Sequence, residues 1–86
     1  MLLLVYAPVF LRNVSRLEKS LQEEVLEKLE LFKDTTSHKQ LKVHKLRGRL
    51  KNYYSFSVNY KYRILFSYGG ENEVNILAVG DHDIYQ

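Results

Sequence analysis

His44, in "KVHKLRG", and His82, in the terminal "GDHDIYQ", are the side chains best suited to move protons, and Arg63, in "YRILF", is the charge least expected where it stands. With an unperturbed pKa of about 6.5, a histidine takes up and releases protons near neutrality. Two histidines converging on an open surface with an arginine between them would suit phosphodiester cleavage. One imidazole would remove the proton of a ribose 2′-hydroxyl and the other would protonate the leaving 5′-oxygen. The guanidinium would hold the phosphorane's extra negative charge through bidentate hydrogen bonds. Each histidine can equally be read as an ordinary surface residue. Arg63 lies between Tyr62 and Ile64, mid-strand, where a charge is avoided unless that face is wet or used; a solvated arginine pairing across a sheet is the alternative. Asp81 and Asp83 flank His82, where they would raise its pKa and orient it, or weaken RNA binding there. His38, His44 and His82 lack close ligand spacing and the chain has no cysteine, so no metal site is expected.

The charges around these residues are segregated. Eight Lys and Arg residues lie between Lys39 and Arg63, and no Asp or Glu occurs from Thr35 to Gly70. Between Glu18 and Asp34, by contrast, six acidic residues face three lysines. Such asymmetry points to a polyanion on the basic side, with a solvated loop balancing an acidic helix as the plainer account. Lys45, Arg47, Arg49 and Lys51 are evenly spaced and would line one side of an extended segment tracking a phosphate backbone, with Lys42 and Lys61 adding to the same charge. Tyr53 and Tyr85 offer rings for stacking on unpaired bases, although a tyrosine at a strand start or chain end often serves packing.

Eighty-six residues make one domain, spanning 1–86, at the small end of the usual range. A composition 45% hydrophobic and 13% aromatic excludes a disordered or low-complexity chain. The absence of cysteine excludes disulfides and thiolate chemistry and fits a reducing cytoplasm. The opening "MLLLVYAPVF" is too short to span a membrane and lacks the flanks of a signal peptide, so no membrane association is expected.

The elements that must position the chemistry follow from periodicity. Leu2 to Tyr6 reads as a strand buried on both faces. Pro8 suits the first turn of a helix, and Phe10, Val14 and Leu17 extend it to about Leu17. "SLQE", Ser20 to Glu23, matches a capping box, and Leu21, Val25, Leu29 and Phe32 form one apolar stripe on a second helix ending near Lys33. Asp34 to His38 is polar loop. From Tyr53 the period changes to 2: Tyr54, Phe56 and Val58 alternate with Ser55 and Ser57, and Tyr62, Ile64 and Phe66 alternate with Lys61 and Arg63. "YGGEN", Tyr68 to Asn72, is a hairpin turn with glycines placed for positive φ, and Val74 to Val79 is the last strand. The result is an α+β fold in the order β-α-α-β-β-β, with a helical hairpin on one face of a small, mainly antiparallel sheet and the opposite face open. If Phe56, Val58, Ile64 and Phe66 point to the helices, Ser55, Ser57, Lys61 and Arg63 must point away.

The order of elements, together with "HKLRG", "YSFSV", "YRILF" and "VGDHDIY", resembles the RelE/ParE superfamily of toxins from bacterial toxin–antitoxin modules, across essentially the whole chain. It is most similar to the RelE, YoeB and YafQ type of mRNA interferase. The resemblance implies a ribosome-dependent, metal-independent endoribonuclease, needing no small-molecule cofactor, that cuts mRNA in the ribosomal A site. It also implies a cognate antitoxin that masks the basic face. Arg63 matches the family's phosphate-binding strand arginine, His82 and Tyr85 match the C-terminal acid/base and base-stacking positions, and His44 matches a loop histidine of the YafQ-like branch. Lys45, Arg47 and Arg49 match basic loop positions that would contact ribosomal RNA. The ParE branch, associated with DNA gyrase inhibition by docking alone, is the alternative, and an inert, antitoxin-bound partner is a third.

Overall fold

Leu3–Tyr6 forms strand β1, and Pro8 begins helix α1 (Pro8–Ser15) at the position where a missing N–H costs nothing. The computed structural model describes residues 1–81. Helix α2 spans Lys19–Phe32 and is followed by strands β2 (His44–Lys45), β3 (Tyr54–Ser57), β4 (Arg63–Tyr68) and β5 (Glu73–Gly80). Among the described residues the strands form one sheet in the order β1-β5-β4-β3-β2. β1 runs parallel to β5, and every other neighbouring pair is antiparallel. This is the expected α+β arrangement, with the two-residue strand β2 added at one edge.

The period-2 alternation decides which face is covered. Phe56, Ile64, Phe66, Val74, Ile76 and Val79 are buried, and they meet Val25, Leu29 and Phe32 from the α2 stripe. Phe32 is the centre of this core. Its ring stacks on Phe56 at 4.4 Å and meets Phe66 edge-on at 4.8 Å. Each such pair contributes about 0.5–1.5 kcal/mol beyond area burial. Side-chain amides then tie the layers together. Gln22 Nε2 donates to the Val14 and Leu17 carbonyls, satisfying the end of α1. Asn13 Oδ1 accepts from the Val79 N–H, on the stretch of β5 that β1 is too short to pair.

Four local expectations are corrected. The Ser20–Glu23 box does not form: α2 starts at Lys19 with Glu18 as cap, no side chain caps it, and the Glu18 carbonyl closes the first turn by accepting from Leu21 and Gln22. Helix α1 ends at Ser15 because the Arg16 and Leu17 N–H groups turn back to Asn13 and Val14. β1 is an edge strand with Leu3, Val5 and Tyr6 exposed, since only β5 pairs with it. In the turn before β5 the residue with positive φ is Asn72 (59°), not a glycine; asparagine tolerates this region because its short polar side chain bonds locally. Among the described residues no helix is long and apolar enough to cross a membrane.

Candidate nucleic-acid interface

Pairing register determines what shares the face opposite the helices. His44 lies opposite Ser55, Ser55 opposite Leu65, and Arg63 opposite Ser57, so His44, Ser55, Ser57, Arg63 and Leu65 all belong to that face. Two strand spacings of about 4.8 Å and two residues' rise put the Cα atoms of His44 and Arg63 roughly 12 Å apart. Both side chains are long enough to approach one phosphate from two sides. Ser55 departs from expectation. It is fully buried rather than open.

His44 is exposed, and its Nδ1 lies 2.9 Å from the Lys42 carbonyl. A carbonyl only accepts, so Nδ1 carries the proton; in the neutral ring Nε2 is then the basic nitrogen. That is the tautomer a general base requires, held by the backbone two residues earlier. The carbonyl is aimed by an unusual residue, for Lys42 adopts φ 59°. The Lys42 N–H donates to Lys39 O and the Val43 N–H to His38 O, so the surrounding loop enforces this conformation.

Arg63 is half-buried, and its Nη1 donates to three carbonyls of the preceding turn: Asn59 (2.8 Å), Tyr60 (3.2 Å) and Tyr62 (3.2 Å). Asn59 organises the same turn, its Oδ1 accepting from the Lys61 and Tyr62 N–H groups and its Nδ2 donating to Glu24. A guanidinium has five N–H donors in a planar fork. Arg63 is anchored by Nη1, while Nε and Nη2 donate to none of the described residues. Among the described residues that edge of the fork is unengaged, and its planar pair of donors has the geometry for a bidentate anion.

The remaining predicted residues fall in several places. Lys45 is in β2, but the chain then folds back through Gly48 (φ 69°) and a 3₁₀ turn at Gly48–Leu50, closed by Leu46 N–H to Tyr53 O. Lys45, Arg47, Arg49 and Lys51 are therefore exposed around a hairpin end rather than along one side of an extended segment. Tyr53 is exposed at its return. Lys61 lies in the turn before β4, not in a strand, with its ammonium 5.6 Å from the Tyr62 ring. It lines a groove of about 720 Å³ together with Glu18, Glu23, Glu24 and Glu27. His38 is structural: its Nε2 donates to the Phe32 carbonyl at 2.8 Å and its ring stacks on Phe32 at 4.6 Å. His82 and Tyr85 lie outside the described residues.

The turn Asn59–Tyr62 thus separates two surfaces of opposite charge. On one side is the acidic groove of α2. On the other is a cleft of about 460 Å³ lined by Lys28, Gln40, Lys42, Ser57 and Arg63, with Leu41 and Val58 as its buried floor. Lys28 was not apparent as a site residue, because it sits among the glutamates of α2. Its signal was position: it adjoins Leu29 and follows Val25 by three, at the margin of the buried stripe.

Comparison with known proteins gives a consistent result. The family model described as the RelE-like toxin of the type II toxin–antitoxin system HigB matches residues 12–82. No curated protein matches the sequence. The fold is similar to that in the YoeB–YefM complex from Staphylococcus aureus (TM-score 0.73, 20% identity, 95% of this chain and 98% of that one). It is also similar to YafQ from E. coli (0.70, 15%, 99% and 98%). A third match is the archaeal RelE–RelB complex from Pyrococcus horikoshii (0.72, 17%, 93% and 93%).

Proposed function

This chain belongs to the HigB-like family of RelE-like toxins of type II toxin–antitoxin systems, and from that membership we propose that it is a metal-independent endoribonuclease that cuts mRNA on the ribosome. A single observation carries the chemistry. His44, with its proton fixed on Nδ1, and Arg63, with one edge of its fork unengaged by the described residues, share the open face of the sheet. His44 Nε2 takes the proton from a ribose 2′-hydroxyl. The 2′-oxygen bonds to the adjacent phosphorus, and Arg63 holds the charge that builds on the non-bridging oxygens. The bond to the 5′-oxygen breaks, leaving a 2′,3′-cyclic phosphate, and the departing oxygen receives a proton. His82 is assigned as that donor and Tyr85 as the stacking ring, both on the family resemblance.

Lys42, Lys45, Arg47, Arg49, Lys51, Tyr53 and Lys61 are proposed to contact the RNA or the ribosome, and the first five are exposed near the open face or at its hairpin end. A cognate antitoxin is the proposed protein partner, on the pattern of the YoeB–YefM and RelE–RelB complexes. The HigB-type match does not favour gyrase docking.

Purified protein with ribosomes and a programmed mRNA is the test. Cleavage is expected, and Arg63→Ala is expected to lower its single-turnover rate about 10²–10³-fold, as loss of a charge-stabilising donor does elsewhere. An mRNA left whole by the unaltered protein, under conditions where an established interferase cuts it, would refute the proposal.

A further inference from the structure

Lys28 projects from α2, in the helical layer, toward the cleft it shares with Lys42 and Arg63. Three elements distant in sequence therefore bring cations to one concavity, and no carboxylate is among the described residues that line it. The Lys28 side chain is only 25% exposed, and its nearest carboxylate, Glu27, is 3.8 Å away, beyond hydrogen-bond length. Glu27 is thus only a distant ion-pair partner, and an anion in the cleft would add a closer one. The floor formed by Leu41 and Val58 is buried and apolar, which strengthens ion pairing above it by lowering the local dielectric. Lys42 is turned into the cleft by the same left-handed backbone that aims its carbonyl at His44.

We propose that this cleft seats a backbone phosphate of single-stranded RNA next to the scissile one, with Lys28 and Lys42 as its cations and Arg63 at the boundary between the two phosphates. This rests on the ribonuclease proposal for the identity of the strand. The cations of the cleft come as separate point charges around a concavity rather than as one flat patch. Gln40 and Ser57 supply neutral polar groups at its margin.

The test is a fluorescence-anisotropy titration of a labelled 2′-O-methyl RNA hexamer, which cannot undergo 2′-hydroxyl attack, across a salt series. Each phosphate contact on a single strand contributes about 0.7 to the slope of log affinity against log salt. Lys28→Gln is expected to reduce the slope by about 0.7 and to weaken binding several-fold, and Lys28→Arg to restore both. Matching thermal unfolding of the variants would show that the helix is intact. Inorganic phosphate is expected to compete with the hexamer in the unaltered protein and less effectively in Lys28→Gln. An unchanged slope in Lys28→Gln, or no binding of the hexamer by the unaltered protein, would overturn the proposal. Ribosome-programmed cleavage, run alongside, keeps the two claims apart. Normal cleavage with an unchanged slope removes the cleft and leaves the ribonuclease. A Lys28-dependent slope without any cleavage removes the ribonuclease and leaves the phosphate cleft.

Discussion

On the covered face of the sheet Phe56, Ile64, Phe66, Val74 and Ile76 expose nothing, whereas on the opposite face Ser57, Arg63 and Leu65 keep part of their surface and His44 is exposed. The same strands supply both sets, one residue apart. Hydrophobic burial acts on one parity of each strand and leaves the other available for polar groups, so core and candidate site are separable by mutation although they are covalently adjacent. The division is sharpest in β4, where Arg63 and Ile64 are neighbours with opposite duties.

The largest effect expected is on the covered face. Phe32 is fully buried and contacts the rings of His38, Phe56 and Phe66. Phe32→Ala should cost about 3–5 kcal/mol of stability, measured by urea unfolding. Small domains hold only about 5–15 kcal/mol in total, so activity should disappear with the fold. On the open face His44→Gln should lower single-turnover cleavage about 10²–10⁴-fold, the usual contribution of a positioned proton acceptor. Its unfolding midpoint and ribosome affinity should stay near those of the unaltered protein. If His44→Gln destabilised the protein as much as Phe32→Ala, the separation of the two faces would be wrong.

Much of that separation was legible in the chain. Phe56, Ile64 and Phe66 at period 2, and Val25, Leu29 and Phe32 at helical spacing, specify which surfaces meet, because burial rewards a residue according to its side. Less visible were features decided by the partner of a backbone group rather than by side-chain type. "SLQE" has the residues of a capping box, but the Glu18 carbonyl and the reach of Gln22 to α1 claimed that turn first. Two glycines in "YGGEN" suggested positive φ, and Asn72 took it. The anchoring of Arg63 on the carbonyls of residues 59, 60 and 62 depends on a turn that Asn59 closes, and no periodicity encodes that. Lys28 was hidden for a related reason: a lysine among glutamates looks solvated until the other walls of its cleft are known.

A smaller effect should separate binding from chemistry within the basic half of the chain. Lys45 follows His44 in β2 on the opposite parity, across from Tyr54, and Arg47 and Arg49 are exposed at the hairpin end. Replacing all three with glutamine should flatten the salt dependence of ribosome binding by roughly 0.7 or more per lost phosphate contact. Cleavage of mRNA at saturating ribosome should change little. Equal losses in both assays would mean that the hairpin end takes part in positioning the reacting groups.

The smallest effect concerns the seam where the chain passes from the helical layer to the basic loop. Asp34 Oδ1 accepts from the Thr36 N–H (3.0 Å) and the Thr36 hydroxyl (2.8 Å), capping the 3₁₀ turn Thr35–Ser37. The backbone hydrogen bond foremost, and then the hydroxyl, hold the Asp34 carboxyl below its ordinary value of 3.8. Folding therefore favours the ionised form. The resulting stabilisation is complete above about pH 3.8 and is lost as pH falls through the lowered value. Thr36→Val, which removes the hydroxyl and keeps the backbone donor, should shrink this acid-dependent part, and Asp34→Ala should abolish it, both seen as flatter stability profiles below pH 4. The group is on the surface, so water screens it and the change should be small. Cleavage by Asp34→Ala at neutral pH should match the unaltered protein, because the Lys42 conformation behind His44 is fixed by carbonyls at His38 and Lys39, after the turn. A loss of cleavage without a loss of stability would instead place the aim of His44 under the control of this cap, and would move the border between the two regions back to the end of α2.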